Sequence, residues 1–317
     1  IKEESVKRRF YSVYNVLEKA TGIVYSSERL KYKIQDSTFY ELINFSREVN
    51  TISKLNHPSI LRFIGYSPVD FNKQPKPMIL TELGSNGILE DVIRNRPEIL
   101  DHTKKMKIIY GIGKSISYLH SHDIIHCDIS TSNIVLNNKF EPKLCNFNSS
   151  RYLNETSEMT YIGTPRFIAR ERWLNKEYSK SSDIYSFCLV IYEIMTNDVA
   201  YSDIEDIYEL SMNIIEGEHP KKLKEIENKY QEIIKLGLKS NPDERPTIKE
   251  IIEILRSEDD EEYQEYIEEL DNTPTSFDPT KNILEFKGFD NFINKAIQLN
   301  SPEIFNPSVY MDKRIDL

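Results

Sequence analysis

The sequence predicts an α+β chain of two lobes: a small five-stranded β lobe with one helix, then a larger, mainly helical lobe. Three observations carry that expectation. Up to residue 83, short apolar stretches alternate with turn residues; beyond residue 84, apolar residues recur every three or four positions; and 317 residues is the length of two domains at roughly 100–200 residues each. The segments read as lobes over 1–83 and 84–257, followed by an acidic linker and C-terminal tail over 258–317.

Between Tyr11 and Ile34, the apolar residues Val13, Val16, Ile23, Val24, Tyr25 and the stretch Leu30 to Ile34 suggest three strands. Leu42, Phe45, Val49, Ile52 and Leu55 then form a helical stripe that must stop before His57-Pro58, because the residue preceding a proline is disfavoured in the helical region. Two more strands follow at Ile60–Tyr66 and Met78–Glu82, separated by a polar, proline-containing loop. Helical patterns then cover Leu89–Arg94, the stripe Ile109, Ile112, Ile116 and Leu119, and segments near 182–196, 204–216, 230–238 and 247–255, with a further helix expected at Phe289–Leu299.

Composition narrows the function. Lys plus Arg number 41 against 51 Asp plus Glu, so the net charge of -10 argues against nucleic acid, which requires a concentrated positive field. Eight of those carboxylates stand between Glu258 and Glu269 with no basic residue among them, as in a solvated linker or helix. No stretch approaches the ~20 apolar residues of a membrane-spanning helix. Cys127, Cys145 and Cys188 show no paired spacing, which fits a reducing, cytoplasmic setting and excludes a cysteine zinc site. The charged, Met-less start has no leader-like apolar core and suggests part of a longer chain.

Two polar loops between the helices bring the chemistry into view. HCDISTSN places Asp128 and Asn133 five residues apart, and Asn146-Phe147-Asn148 begins eighteen residues after Asp128. Farther on come IGTPRFIARERW, KSSDIYSFCLVIYEIMTN and NPDERPT. In order and spacing these resemble the catalytic loop, the metal-binding triplet, the activation-segment end, the core helix and the late arginine turn of the protein kinase family. The resemblance spans about Tyr11 to Leu255 and is nearest to the tyrosine-kinase-like group of Ser/Thr kinases.

The resemblance implies ATP as nucleotide, Mg²⁺ as metal and a protein substrate or signalling partner. It makes Asp128 the base and Asn133 a metal ligand, while Asn146 stands in place of the carboxylate that normally bridges metal to phosphate. It also makes Lys33 the ATP lysine, paired with Glu48, although Lys31 leaves that register open. Gly22, within VLEKATGIVY, becomes the last residue of a phosphate loop that has lost its other glycines, and Val24, Thr81, Glu82, Leu83 and Val135 become nucleotide-contacting positions. Ser130 occupies the place of a phosphate-contacting Lys, Cys127 that of an Arg, and Arg170 that of a Pro, whereas Asp183, Glu171 and Arg245 retain the residues that support the fold.

Two functional readings follow. One is a pseudokinase that works through protein contacts, with weak or metal-independent nucleotide binding. The other is an active Ser/Thr kinase with atypical metal use, supported by Asp128, Asn133, Lys33, Glu48 and Thr164. A third reading gives the working role to the tail after Ser257, with the kinase fold as a platform.

Overall fold

The structure, a computed structural model, describes residues 4–7, 11–37, 39–153, 163–174 and 177–280. The helix expected at Phe289–Leu299 lies outside those residues. The chain divides into two units, one made of residues 1–56, 61–83 and 276–317, the other of residues 57–60 and 84–275.

The first unit is built on a five-stranded sheet. Its elements are β1 (Glu4–Lys7), β2 (Tyr11–Leu17), β3 (Val24–Leu30), helix α1 (Phe39–Ile52), β4 (Leu55–Asn56), β5 (Phe63–Ser67) and β6 (Met78–Thr81), with sheet order β1-β2-β3-β6-β5. β2 and β3 form a hairpin in full register from Tyr11↔Leu30 to Leu17↔Val24. Leu42, Phe45 and Val49 of α1 pack on Tyr11, Leu30 and Ile79 of the sheet, the apolar face that the helical spacing requires.

Three expectations are corrected here. Residues 11–34 hold two strands, and the remaining strand on that side is Glu4–Lys7. The second strand of the hairpin ends at Leu30, so the segment Lys31-Tyr32-Lys33 is not strand; Lys33 begins a short 3₁₀ turn over Ile34–Asp36. The later strand likewise starts at Phe63, because Ile60 belongs to the other unit, where it bridges Leu144.

The second unit contains β7 (Gly87–Ile88), α2 (Leu89–Asn95), α3 (His102–Ser121), β8 (Ile124–Ile125), β9 (Ile134–Leu136), β10 (Pro142–Leu144) and β11 (Arg151–Tyr152). After these come α4 (Arg170–Trp173), α5 (Lys180–Thr196), α6 (Ile207–Glu216), α7 (Asn228–Gly237), α8 (Ile248–Leu255) and α9 (Glu261–Asn272). α5 is apolar almost all round and buried over most of its length, with α3 and α7 against it. The small strands pair as β10-β9-β7 and β11-β8 and hold the polar loops between them.

The acidic run is not a linker. It forms α9, capped by Asp260, whose carboxylate accepts from Tyr263 N at 2.8 Å and from Thr103 Oγ1 at 2.7 Å. Tyr263, Tyr266, Ile267 and Leu270 are buried against α3, while Glu261, Glu262, Glu265, Glu268 and Glu269 face outward. Gly111 permits this packing, since a Cβ there would lie 2.6 Å from both Pro142 Cγ and Tyr266 Oη. Asp271 accepts from Lys114 Nζ at 2.8 Å and from Tyr110 Oη at 3.2 Å, locking the end of α9 to α3. Beyond it, β12 (Ser276–Phe277) belongs to the first unit, where it pairs with β4.

Candidate active site

The catalytic loop leaves β8, forms a 3₁₀ turn over Thr131–Asn133 and enters β9; the Asn146 segment leaves β10. Pairing of β9 with β10 brings the two loops together, with Leu144 opposite Ile134, and Cys145 N donates to Asn133 O at 3.0 Å. Asn146 takes a left-handed φ of 69°, which asparagine tolerates better than most residues. Phe147 next to it is fully buried against the His126 ring, with centroids 5.0 Å apart.

Asp128 sits at the centre. Thr164 donates to Oδ1 twice, from N at 2.8 Å and from Oγ1 at 3.0 Å. Oδ2 accepts from Asn133 Nδ2 at 2.8 Å and from Asn146 Nδ2 at 3.3 Å. The amide nitrogen of Asn146 also donates to Asn133 Oδ1 at 2.9 Å. A carboxylate only accepts, so the nitrogen side of the Asn146 amide must face Asp128. Two oxygens offer about four lone-pair sites, and four donors fill them. Burial pushes the Asp128 carboxyl above its usual range, with His126 and the hydrogen bonds from Thr164 and Asn133 working against that rise.

The surrounding framework is fully engaged. Asp183 on α5 accepts from His126 N at 2.9 Å, Cys127 N at 3.0 Å and His120 Nε2 at 3.0 Å, and so supports Cys127 in a left-handed φ of 66°. Thr131 donates to Glu193 Oε2 at 2.7 Å, and Ala200 N donates to Glu193 Oε1 at 2.9 Å. Burial carries the Glu193 carboxyl up to about 7 despite those two donors. Glu171 and Arg245 form a buried bidentate pair at 2.8 and 2.7 Å, and Ser182 Oγ adds a bond of 2.8 Å to Glu171. Burial alone would raise the Glu171 carboxyl, but Arg245 outweighs it and holds the group below its usual range.

The residues expected to hold nucleotide fall differently. Gly22, at φ 75°, is a turn residue of the β2–β3 hairpin, with Gly22 N bonded to Glu18 O at 2.9 Å. In the kinase pattern the glycine loop comes before the strand that bears the lysine, and that strand is the third. The third strand here is β3, VYSSERL, which contains no lysine. Lys33 lies beyond its end, at the start of the 3₁₀ turn. The strand presents Glu28 instead, buried between Val13 and Ile79 on the α1 side, while Arg29 points the other way to Tyr14 and Asp70. Strand register thus places Lys33 off the third strand, where the ATP lysine was expected, and Gly22 in the turn between the second and third strands. The connection between β1 and β2 reads Arg8-Arg9-Phe10 and lies outside the described residues; no glycine precedes Gly22 in the chain.

The other expected positions are placed individually. Val24 starts β3 opposite Leu17, Thr81 ends β6 and is buried, and the Glu82 carboxylate accepts from Arg62 N at 2.8 Å. Leu83 closes its unit, and Val135 lies on β9 of the second unit, where Gly84 packs so closely that an added Cβ would come within 2.6 Å of it. Sequence reasoning did not find Glu28, although its position in the third strand was the available signal. It also did not find Glu193, whose role depends on a contact across 62 residues of sequence.

A divalent cation does not fit this donor set. Asp128 is the sole carboxylate among Asp128, Asn133 and Asn146, and the nitrogen of the Asn146 amide faces inward.

Comparison with known proteins agrees with this architecture. A family model described as protein kinase domain matches residues 9–254. The RGS domain-containing serine/threonine-protein kinase A of Dictyostelium discoideum is 30% identical over 218 residues, which is 69% of this chain and 19% of that protein. A putative serine/threonine-protein kinase/receptor of Acanthamoeba polyphaga mimivirus is 31% identical over 228 residues, 71% of this chain and 13% of the relative. A serine/threonine-protein kinase of Arabidopsis thaliana is 29% identical over 215 residues, 68% of this chain and 37% of the relative. The chain therefore spans only a small part of the length of these relatives. With its motifs, its α+β fold and a family match over most of its length, the chain belongs to the protein kinase domain family.

Proposed function

We propose that this domain is a pseudokinase of the tyrosine-kinase-like group that acts in signalling by binding other proteins and transfers little or no phosphate. The observation that carries the reading is the saturation of Asp128. A general base must accept a hydrogen bond from the attacking hydroxyl, and all four of its acceptor positions are taken by Thr164, Asn133 and Asn146. The Asn146 amide spans Asp128 and Asn133, the residues that the pattern assigns to base and metal, and bonds to both without supplying charge. Nucleotide binding would be weak or metal-independent, because β3 offers no lysine and Asn146 supplies no charge for a metal. A cytoplasmic setting is supported by three buried cysteines, none in a disulfide. Among the described residues, no helix is long and apolar enough to cross a membrane.

The competing reading, an active Ser/Thr kinase with unusual metal use, is favoured by one observation: Thr164 bonds to Asp128 through both N and Oγ1, as in a substrate-ready loop. Transfer of labelled phosphate from ATP to a generic protein substrate decides between them. The pseudokinase reading expects wild type and Asp128→Asn to be equally inactive with Mg²⁺ and with Mn²⁺. Phosphate transfer by the wild type that Asp128→Asn abolishes would overturn it.

A further inference from the structure

The start of α3, the start of α7 and the connection from α8 to α9 meet within the second unit, and each brings one metal-ligating side chain. His102 is the first residue of α3, Glu227 stands at the N-cap of α7, and Glu258 lies in the connection. One donor atom from each lies within 4.8 Å of the other two, and His102 Nδ1 is 3.5 Å from Glu227 Oε1. Ligand atoms held ~2.1 Å from a tetrahedral ion are about 3.4 Å apart, so small side-chain rotations close the set.

The supporting geometry is in place. Asp101 caps α3, accepting from Lys104 N at 2.8 Å, and Thr103, next to His102, donates to Asp260 at 2.7 Å. Glu227 occupies a capping position, yet its carboxylate bonds none of the helix amides. Glu258 Oε1 accepts from Lys229 Nζ at 2.6 Å, which leaves Oε2 for a second cation. Glu227 also acts electrostatically on Lys105. An ion in this cluster therefore competes with two ammonium groups and must supply coordination bonds that they cannot.

An independent observation points to a ligand. Tyr230, one turn into α7 from Glu227, is fully buried, and its Oη has no hydrogen-bond partner among the described residues. A buried hydroxyl left in that state is costly. Burial first, then Glu258 and Glu227, raise the phenol above the usual tyrosine range, so its oxygen lies in the field of both carboxylates. Lys229 Nζ, bonded to Glu258, stands 5.3 Å from the centre of the Tyr230 ring. A metal-bound water is a strong donor and would give Tyr230 Oη a partner.

We propose that His102, Glu227 and Glu258 bind one Zn²⁺, with water completing its shell beside Tyr230. One imidazole nitrogen with two carboxylate oxygens suits Zn²⁺ better than Mg²⁺ or Ca²⁺, which favour oxygen alone, and Mn²⁺ stands below Zn²⁺ in affinity for mixed N,O sites. The ion clasps α3 and α7 to the entry of α9. Its residues are separate from Asp128, Asn133 and Asn146, and the site does not depend on whether phosphate is transferred.

Zinc alone is the probe. The whole chain, stripped with a chelator, is titrated with Zn²⁺ against a chromogenic chelator, and its melting midpoint is followed by circular dichroism. The expected result is one saturable site per chain, weakened at least tenfold in His102→Ala and in Glu227→Gln. Micromolar Zn²⁺ raises the wild-type midpoint by at least ~2 °C and leaves that of His102→Ala unmoved. Both substituted side chains are exposed, and metal-free midpoints close to that of the wild type check that the variants fold. His219→Ala, which removes an exposed imidazole outside the cluster, binds as the wild type does. No saturable binding below ~100 µM, unchanged binding in His102→Ala and Glu227→Gln, loss of binding in His219→Ala, or an equal shift with Mn²⁺ at the same concentration overturns the proposal.

Discussion

Glu171 with Arg245 and Asp183 with its three donors form one set of polar positions in this domain; Glu28 and Asn146 form another. Members of the first set hold the residues that the kinase pattern prescribes, bonded to complete and buried partners. Members of the second carry no such match: a buried carboxylate in a third strand that holds no lysine, and a neutral amide bonded to Asp128 and Asn133. The difference teaches that the fold and the chemistry draw on separate polar networks. A buried ion pair cannot lose one partner without leaving a charge stranded in the interior. Losing a metal ligand or an ATP lysine leaves the apo domain intact, and at Asn146 the substitute restores hydrogen bonds that an empty metal site would lack.

The comparison extends to α9, which belongs with the framework. Deleting the chain from residue 258 onward exposes α3 and removes Tyr263, Tyr266, Ile267 and Leu270 from the core. At about 1.5–3 kcal/mol per buried side chain, the loss is a large part of a typical domain's stability. The expected result is a melting midpoint lowered by more than 10 °C, or loss of soluble protein; an unchanged midpoint would detach α9 from the framework.

Arg245→Ala comes next. It leaves the Glu171 carboxylate buried without its guanidinium, at a cost of about 3–5 kcal/mol in urea unfolding. A cost below ~1 kcal/mol would mean that this pair is no more essential than the phosphate-handling positions.

Glu193 gives the framework a pH signature. Its carboxyl is raised to about 7 in the folded chain from an ordinary value near 4.5, so its contribution is complete below the lower value and lost as pH rises through the upper one. The loss amounts to about 3 kcal/mol between pH 4.5 and 8. Glu193→Gln should flatten that slope while keeping both contacts, because the Thr131 hydroxyl can turn to accept from the amide. Equal slopes for wild type and variant would remove Glu193 from the account.

Asn146→Asp is the smallest effect and the sharpest test of the division. It sets a second carboxylate beside Asp128, lowering stability by about 1–2 kcal/mol in the absence of metal, and millimolar Mn²⁺ should restore the midpoint. The wild-type midpoint should not respond to Mn²⁺ with or without ATP. A metal-dependent rise in the wild type would return Asn146 to the working metal ligands and blur the two sets.

Sequence and structure divide along the same line as local and non-local information. HCDISTSN, the spacing from Asp128 to Asn146, and the placement of Asp183, Glu171 and Arg245 are patterns along the chain, legible in residue identity and spacing alone. The acidic run read as a solvated helix or linker, and its eight carboxylates masked the spacing of Tyr263, Tyr266, Ile267 and Leu270, which is that of a buried helix face. The start of the chain misled for a different reason. A lone glycine and two nearby lysines matched a phosphate loop and an ATP lysine locally, but β2 to β3 register, from Tyr11↔Leu30 onward, is set by partners distant in sequence.

By itself, then, the sequence determined the two-part α+β architecture and the kinase-like spacing of Asp128, Asn133 and Asn146, because each is written in residue identity and short spacing. Only the tertiary structure decided that the third strand holds no lysine and buries Glu28, that four donors fill the Asp128 carboxylate and that an acidic helix completes the core. Strand register, lone-pair occupancy and burial are properties of groups brought together across many residues of chain, and no local pattern contains them.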